Sequence, residues 1–307
     1  MPTKVIQRSC PLCGKTLSDS GPSLRPIGVK IGNAPPGRPQ SGLSNACIVY
    51  EYLTEGGISR FLALYHCDAT EVIGPVRSMR MVDIDIVPQY QAIFAFVGSS
   101  QRVARALAES SLLDLNQFNY PGAYYRVSQR RAPYNTYTSI QLLREAASTN
   151  GWDSPVSLQG GVFSSAIPSD APSVKTITIP YPHSSAAGYK YDAERGSYLR
   201  FQQYAPQIDA NDGLQIEVAN VVVQHVRLWA TDFIEDAGGA PSLHIEVIGE
   251  GKAEVFRDGK YIPGRWEQKS ATQRTQYLDE MGRPIPLKPG NTWISLIPSG
   301  MEIGKAD

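Results

Sequence analysis

Ala46-Cys47-Ile48-Val49-Tyr50-Glu51-Tyr52-Leu53-Thr54-Glu55-Gly56-Gly57-Ile58-Ser59-Arg60-Phe61-Leu62-Ala63-Leu64-Tyr65 sets two strand-like apolar runs around a pair of glycines. Adjacent glycines supply the positive φ that tight hairpin turns require, so the stretch predicts an antiparallel β-hairpin. With Gly56 and Gly57 as the central turn residues, Leu53 pairs with Arg60 and Glu51 with Leu62. Period two then places Val49, Glu51, Leu53, Arg60, Leu62 and Leu64 on one face, with Glu51 and Arg60 as diagonal neighbours. A Glu and an Arg among four aliphatics are costly unless paired. Two readings stay open: a buried Glu51–Arg60 ion pair that fixes register, or the wall of a ligand site.

Upstream, residues 26–31 read as a short strand. Residues 33–42 hold three prolines and two glycines, and so form a loop presenting Arg38 beside Gln40 and Ser41. Downstream comes Gly74-Pro75-Val76-Arg77-Ser78-Met79-Arg80. Ser78 is placed to cap a helix reaching about Tyr90, which puts Arg77 and Arg80 beside free backbone N–H groups as an anion pocket. Two arginines sit at the wrong end for the helix dipole, so a negative partner is expected: Glu51, Glu55, or a ligand carboxylate or phosphate.

Further along, residues 92–97 read as a buried strand and residues 101–110 as a helix. Residues 114–137 form a long aromatic loop in which Tyr124, Tyr125, Tyr134 and Tyr137 with Arg126, Arg130 and Arg131 could offer a stacking surface. Thr138 or Ser139 caps a third helix ending near Asn150. Residues 152–172, rich in Ser, Pro and Gly, read as a linker. Beyond them strands dominate, including a pair flanking the Asp258-Gly259 turn signal. The expected fold is therefore α+β. An irregular lead-in (1–25) precedes an N-terminal mixed α/β domain with a central sheet and about three helices (26–151). The linker, a β-rich C-terminal domain (173–300) and a tail (301–307) follow.

Composition narrows function. Lys plus Arg and Asp plus Glu both number 29 in 307 residues, so no net charge steers the chain to nucleic acid. The first residues contain no apolar run of a signal peptide, although an exported protein with a trimmed leader would look identical. No stretch approaches a membrane helix. The four cysteines are Cys10, Cys13, Cys47 and Cys67. Cys10-Pro11-Leu12-Cys13-Gly14 has the shape of half a zinc ribbon, but a structural zinc needs two more ligands and there is no second C-x-x-C. Cys47 and Cys67 sit in apolar runs and read as small buried hydrophobes. No metal and no cofactor is expected. The four histidines are isolated in sequence, and neither a nucleophile elbow nor a phosphate-binding loop is present. Asp209, Asn211 and Asp212 read as an Asx-rich turn.

Taken together, the motifs resemble those of the YerB-like bacterial lipoproteins, built from domain of unknown function 3048. The resemblance is carried by Arg38 through Leu43, Ile48-Val49-Tyr50-Glu51, Glu55 through Phe61, Gly74 through Ser78 with Arg80, and Ala132-Pro133-Tyr134-Asn135 with Tyr137-Thr138-Ser139. In the second half Asn220 through Gln224, Gly249 through Gly259 and Pro289 through Trp293 continue it. Family members commonly read Asn-Pro-Leu-Thr-Gly where this chain has Cys10 through Gly14, Asp at Cys47 and His at Tyr134.

The resemblance implies an extracytoplasmic, membrane-anchored protein whose lipid anchor is absent from this sequence, with cell-wall synthesis proteins or wall fragments as partners. No reaction is implied, and the catalytic residues are unknown. The expected role is a binding or scaffolding module for an anionic, glycan or peptide ligand. Its expected site is Arg38, Glu51, Glu55, Arg60, Arg77, Ser78 and Arg80, rimmed by Tyr124, Asn135 and Tyr137. The alternative is a glycan-active envelope hydrolase using Glu51 and Glu55 as its carboxylate pair.

Overall fold

In a computed structural model that describes residues 8–17, 24–67, 69–235 and 238–307, Ile48–Leu53 and Ser59–Tyr65 form the hairpin. Residues 1–7 and 18–23 of the expected lead-in lie outside the described residues. Gly56 and Gly57 both take positive φ, as their turn role requires. The loop is longer than two residues, however. It runs from Thr54 to Ile58, closed by a hydrogen bond from Thr54 N to Ile58 O (2.8 Å).

That difference moves the register by one residue. Leu53 pairs with Ser59, Tyr52 with Arg60 and Glu51 with Phe61. A one-residue slip turns every side chain of one strand to the other face. Glu51 therefore shares a face with Val49, Leu53, Phe61 and Ala63, while Arg60 points to the opposite side with Tyr50, Tyr52, Leu62 and Leu64. The expected Glu51–Arg60 pair does not form.

Both faces of the hairpin are buried, so it sits at the centre of the molecule. Among the described residues it belongs to an eleven-stranded mixed sheet. On one side Ser59–Tyr65 pairs antiparallel with Ile27–Gly32, followed by parallel Ile93–Phe96 and Leu113–Asn116. On the other side Ile48–Leu53 pairs in parallel with Thr292–Pro298, which pairs in parallel with Asn220–Ile234. The antiparallel strands Gly249–Arg257, Lys260–Gln268 and Gln276–Leu278 extend that edge. The two halves of the chain thus share one sheet, joined where the first half's hairpin meets a strand contributed by the C-terminal region.

A second, antiparallel sheet is built around Thr176–Ile179, Ala187–Asp192 and Ser197–Gln202. Its Ile177, Tyr189 and Tyr198 pack with Val49, Phe61 and Trp293 in one hydrophobic core. The opposite face of the main sheet packs Tyr50, Leu62 and Leu64 with Met79, Ile86, Phe94 and Val103 in a second core. The fold is α+β, with a mixed N-terminal part and a β-rich C-terminal part. Asp258 and Gly259 both take positive φ in the turn their sequence signals.

Three α-helices occur among the described residues: Asp83–Ile86, Gln101–Glu109 and Ile140–Thr149. Ser139 caps the last, its side chain accepting from Leu142 N. The helix expected from Ser78 to Tyr90 shrinks to Asp83–Ile86 and a 3-10 turn, Val87–Tyr90. The reason is local. Residues 77–79 are tied into the adjoining strands by Arg77 N to Lys30 O (2.9 Å), Val97 N to Arg77 O (3.0 Å) and Met79 N to Gly98 O (3.2 Å). Pro88 then removes a helix donor. Ser78 caps nothing. Arg77 lies in this strand-tied segment, whereas Arg80 directly precedes the turn into Asp83–Ile86, its N donating to Asp83 Oδ2 (2.7 Å) and its O accepting from Asp83 N (3.0 Å). No helix of the described residues is long and apolar enough to cross a membrane.

Candidate functional site

The charged residues of the central stretch fall into two buried networks on opposite faces of the hairpin. In the first, Arg200 Nη2 donates to Glu51 Oε2 at 2.7 Å, with both side chains wholly or almost wholly buried. The guanidinium lies between the rings of Tyr189 and Trp293, at 4.7 and 4.9 Å from their centroids. Ser59 Oγ donates to Glu51 Oε1 (2.8 Å), and Asn33 Nδ2 donates to Ser59 Oγ (2.8 Å) and Gln202 Oε1 (3.0 Å). Arg38 closes the rim of this network, donating from Nη2 to Asn33 O (2.6 Å) and Ser184 O (2.7 Å). Burial raises the Glu51 carboxyl above its ordinary pKa, against the opposing pull of Arg200, Ser59 and Arg38. The first network therefore fastens the main sheet to the second one.

In the second network Glu55 is the hub. Arg60 Nη2 donates to its Oε1 (2.7 Å), and Arg80 Nε donates to its Oε2 (2.6 Å) while Arg80 Nη2 reaches Oε1. Arg60 Nη1 also donates to Ser78 O (2.9 Å), so Ser78 contributes its backbone rather than its hydroxyl. Glu235, buried, stands 3.6 Å from Arg80 Nη1. Burial pushes the Glu55 carboxyl up, but the hydrogen bond from Arg80 and the charges of Arg60 and Arg80 outweigh it and leave it at about 2. Beside this cluster Lys30 Nζ lies 3.1 Å from Asp83 Oδ1, both fully buried, with the Tyr52 hydroxyl hydrogen-bonded to each. Burial lowers the Lys30 ammonium to about 7 although Asp83 favours its charge.

These partners account for Glu51, Glu55, Arg60 and Arg80. Each is buried and each is engaged by an opposite charge. The two carboxylates are held by different arginines, Glu51 by Arg200 and Glu55 by Arg60 and Arg80. Tyr124 and Tyr137 are also interior. The Tyr124 hydroxyl donates to Leu115 O, and the Tyr137 ring fills the space where a Cβ on Gly74 would sit. Arg200, Lys30, Asp83 and Asn33 were not among the expected site residues. A signal for Arg200 existed in the sequence: Tyr198, Arg200 and Gln202 are the period-two inward set of their strand, and two of the three are polar.

A different group of arginines reaches the surface. Arg77 Nη1 donates to Pro133 O (2.8 Å), with its guanidinium 5.1 Å from the Tyr134 ring. Arg126 Nη1 donates to Asn135 Oδ1 (2.8 Å). Arg130 Nη2 donates to Pro39 O (2.6 Å) and Nη1 to Gly37 O. Arg131 is exposed. Tyr134 packs against Gly37, where an added Cβ would come within 3.3 Å of its ring, so loops 33–42 and 130–135 are closely joined. Arg38, Arg77, Arg126 and Arg130 donate hydrogen bonds to carbonyl and amide oxygens, while Glu51 and Glu55 act on Arg38 and Arg77 through their charge. Arg38, Arg77 and Asn135 of the expected site thus lie beside Arg126 and Arg130 of the aromatic loop.

The cysteines depart furthest from expectation. The second pair that the sequence spacing lacks is supplied by Cys47 and Cys67, from the open end of the hairpin. All four sulfurs lie within 4.8 Å of one another. Cys13 and Cys67 are 3.4 Å apart, as are Cys47 and Cys67, and Cys10 and Cys47 are 4.0 Å apart. Cys47 and Cys67 are therefore members of a thiol cluster and not isolated hydrophobes. Hydrogen bonds from Cys13, Cys47 and Cys67 hold the Cys10 thiol low, while the same contacts with Cys10 first push Cys47 and Cys67 up. As the sequence suggests, Asp209 makes an Asx-rich turn, its carboxylate accepting from Gly42 N, Ser44 N and Asn211 N.

Comparison with known proteins agrees with this architecture. Residues 12–153 match the family described as "Protein of unknown function (DUF3048) N-terminal domain", and residues 177–294 match the corresponding C-terminal domain. The chain is 28% identical over 302 residues to the Bacillus subtilis (strain 168) protein named "Putative lipoprotein YerB", covering 97% of this chain and 88% of that one. The crystal structure of the YerB protein from Bacillus subtilis superposes with a TM-score of 0.85 at 27% identity, covering 97% of this chain and all of the other. This chain belongs to the DUF3048 family and carries its N- and C-terminal domains in order.

Proposed function

We propose that this chain is a cell-envelope binding or scaffolding module that recognises a carboxylate of a wall peptide or acidic wall glycan through its arginine rim. On this reading it works outside the cytoplasmic membrane, as the lipoprotein name of its Bacillus relative suggests. The observation that carries the reading is the rim's hydrogen bonding. Arg126 and Arg130 are positioned by carbonyl and amide oxygens, which orient a guanidinium without neutralising it, and Arg38 and Arg77 stand beside them. Guanidinium forks match carboxylates in a planar, bidentate geometry. The neighbouring Tyr134 adds an aromatic face for a sugar ring or peptide plane.

A hydrolase using Glu51 and Glu55 gains no support from the geometry. Neither carboxyl group is free to protonate a leaving group or attack a sugar, since Arg200 holds one and Arg60 and Arg80 hold the other. Calorimetric titration with soluble wall muropeptides tests the binding reading. Binding is expected to weaken with salt and to fall in an Arg126→Ser/Arg131→Ser variant of unchanged thermal stability. No heat of binding with muropeptides or acidic glycans would overturn it.

A further inference from the structure

We propose that Cys10, Cys13, Cys47 and Cys67 bind one zinc ion as a tetrathiolate site that ties the N-terminal knuckle to the central hairpin. This goes beyond the wall-ligand reading and is independent of it. Four metal–sulfur bonds of ~2.3 Å at tetrahedral angles separate sulfurs by about 3.8 Å. The observed separations of 3.4, 3.4 and 4.0 Å, with none above 4.8 Å, surround that value. Soft thiolate donors in a four-fold set favour zinc, or iron of the same geometry, over hard cations.

The backbone is built for the purpose on both sides. On the knuckle side, Gly14 N donates to Cys10 O (2.8 Å) and Cys10 N to Lys15 O (2.8 Å), so the chain reverses tightly around the two thiols. Gly14 takes φ +68°, and a Cβ there would strike the Phe163 ring at 2.6 Å, so a glycine is required just after the second cysteine. The knuckle is then fixed from distant parts of the chain. Gly290 N donates to Cys13 O (2.8 Å), Gly161 N to Pro11 O (3.0 Å) and Arg274 Nη1 to Pro11 O (2.7 Å).

On the hairpin side, Cys47 immediately precedes Ile48–Leu53 and Cys67 lies two residues past Ser59–Tyr65. The antiparallel ladder thus brings them together at its open end, with Cys47 N donating to Leu64 O (2.8 Å). A ladder replaces the second C-x-x-C of a two-knuckle ribbon. Cys10, Cys13 and Cys47 are buried, whereas Cys67 is partly exposed and leaves a path for the ion. His66 Nδ1, 3.5 Å from Cys10 Sγ, is placed to donate to a thiolate and offset part of its charge.

Binding is written without redox change: four thiols lose four protons to solvent as the ion binds. Elemental analysis of the full chain, expressed in zinc-supplemented medium and purified without chelator or immobilised metal, tests the proposal. One zinc per chain is expected, with zinc falling to background in Cys13→Ser and in Cys47→Ser. Cobalt(II) titrated into the reduced wild-type protein gives a second readout that does not depend on a variant folding. Thiolate-to-cobalt charge transfer with tetrahedral ligand-field bands is expected. Metal-free protein, stoichiometric iron, an octahedral cobalt spectrum, or a denatured mass carrying the deficit of disulfides among these cysteines would each overturn it.

Discussion

Replacing Arg200 by Met tests whether the two sheets are joined through the Glu51 pair. Met preserves much of the apolar stem between Tyr189 and Trp293 and removes the charge, so the main effect is an unpaired Glu51. Breaking a fully buried pair by removing one partner costs about 3–5 kcal/mol. At roughly 2–3 °C of Tm per kcal/mol for a large domain, the variant should melt about 6–15 °C lower at pH 7. The pH dependence carries the sharper signature. The Glu51 carboxyl is already raised in the wild type by burial, so the folded state binds more protons than the unfolded state above the ordinary carboxylate pKa. Stability contributed by this group therefore falls as pH rises from the unfolded value through the folded one. Without Arg200 the folded pKa climbs further, and the fall extends over a wider window. The gap between wild type and variant should thus stay constant while Glu51 is protonated in both folded states and widen once pH passes the raised wild-type value, by at most ~1.4 kcal/mol per pH unit. Glu51→Gln/Arg200→Met should recover about half of the loss, because no buried charge is left alone. Urea unfolding at several pH values measures all three quantities. A loss below about 1 kcal/mol, or a gap that does not change with pH, would refute the assigned coupling.

Other expectations follow from the second network and the turns. Glu55, held at about 2, stabilises the fold above the ordinary carboxylate pKa, and that contribution is lost as pH falls from 4.5 through 2. Acid titration of Glu55→Gln should lack this component, and its stability at neutral pH should drop by about 3–5 kcal/mol as Arg60 and Arg80 lose their shared partner. Lys30, lowered to about 7, makes the unfolded state bind the extra proton between pH 7 and 10.5, so wild-type stability relative to Lys30→Met should rise with pH across 7 to 9.5. A flat difference would contradict the burial of an ammonium there. Gly57→Ala should cost clearly more than the ~1 kcal/mol expected for Gly56→Ala. Both have positive φ, but only the first would press a Cβ to 2.5 Å from the His183 ring, and paired thermal melts decide it. Chelation of the zinc-loaded chain should lower Tm, because the ion binds the folded thiol cluster more tightly than the unfolded chain. An unchanged melt after complete metal removal would contradict a structural role.

Local signals read well from the sequence where they were geometrically complete. The Gly56-Gly57 turn, the Asp258-Gly259 turn and the Ser139 cap each state their backbone conformation in two or three residues. Register is more fragile. Treating Gly56 and Gly57 as a two-residue loop, where Thr54 through Ile58 form five, reversed the face of Arg60 and produced a false ion pair. Ser78 resembled a cap because helix propensity is local, whereas the strand contacts that hold residues 77–79 extended come from Lys30 and Gly98. The thiol cluster and the Glu51–Arg200 pair were hidden for a related reason. Their members are brought together by ladder pairing and sheet packing across 20 to 149 residues of separation, which no spacing rule expresses.

The functional consequence is a division of labour. Charges embedded in the hairpin hold the sheets together, and on the proposed reading the exposed guanidinium groups of the loops beside it are left to meet a ligand. Calorimetric titration of soluble muropeptides into wild type and Arg126→Ser/Arg131→Ser at low and moderate salt measures that division directly. Wild type should bind and weaken with salt, and the double variant should bind at least ~10-fold more weakly, about 1.4 kcal/mol, with its Tm unchanged. Equal affinity for the two proteins, or no binding by either, would contradict the account.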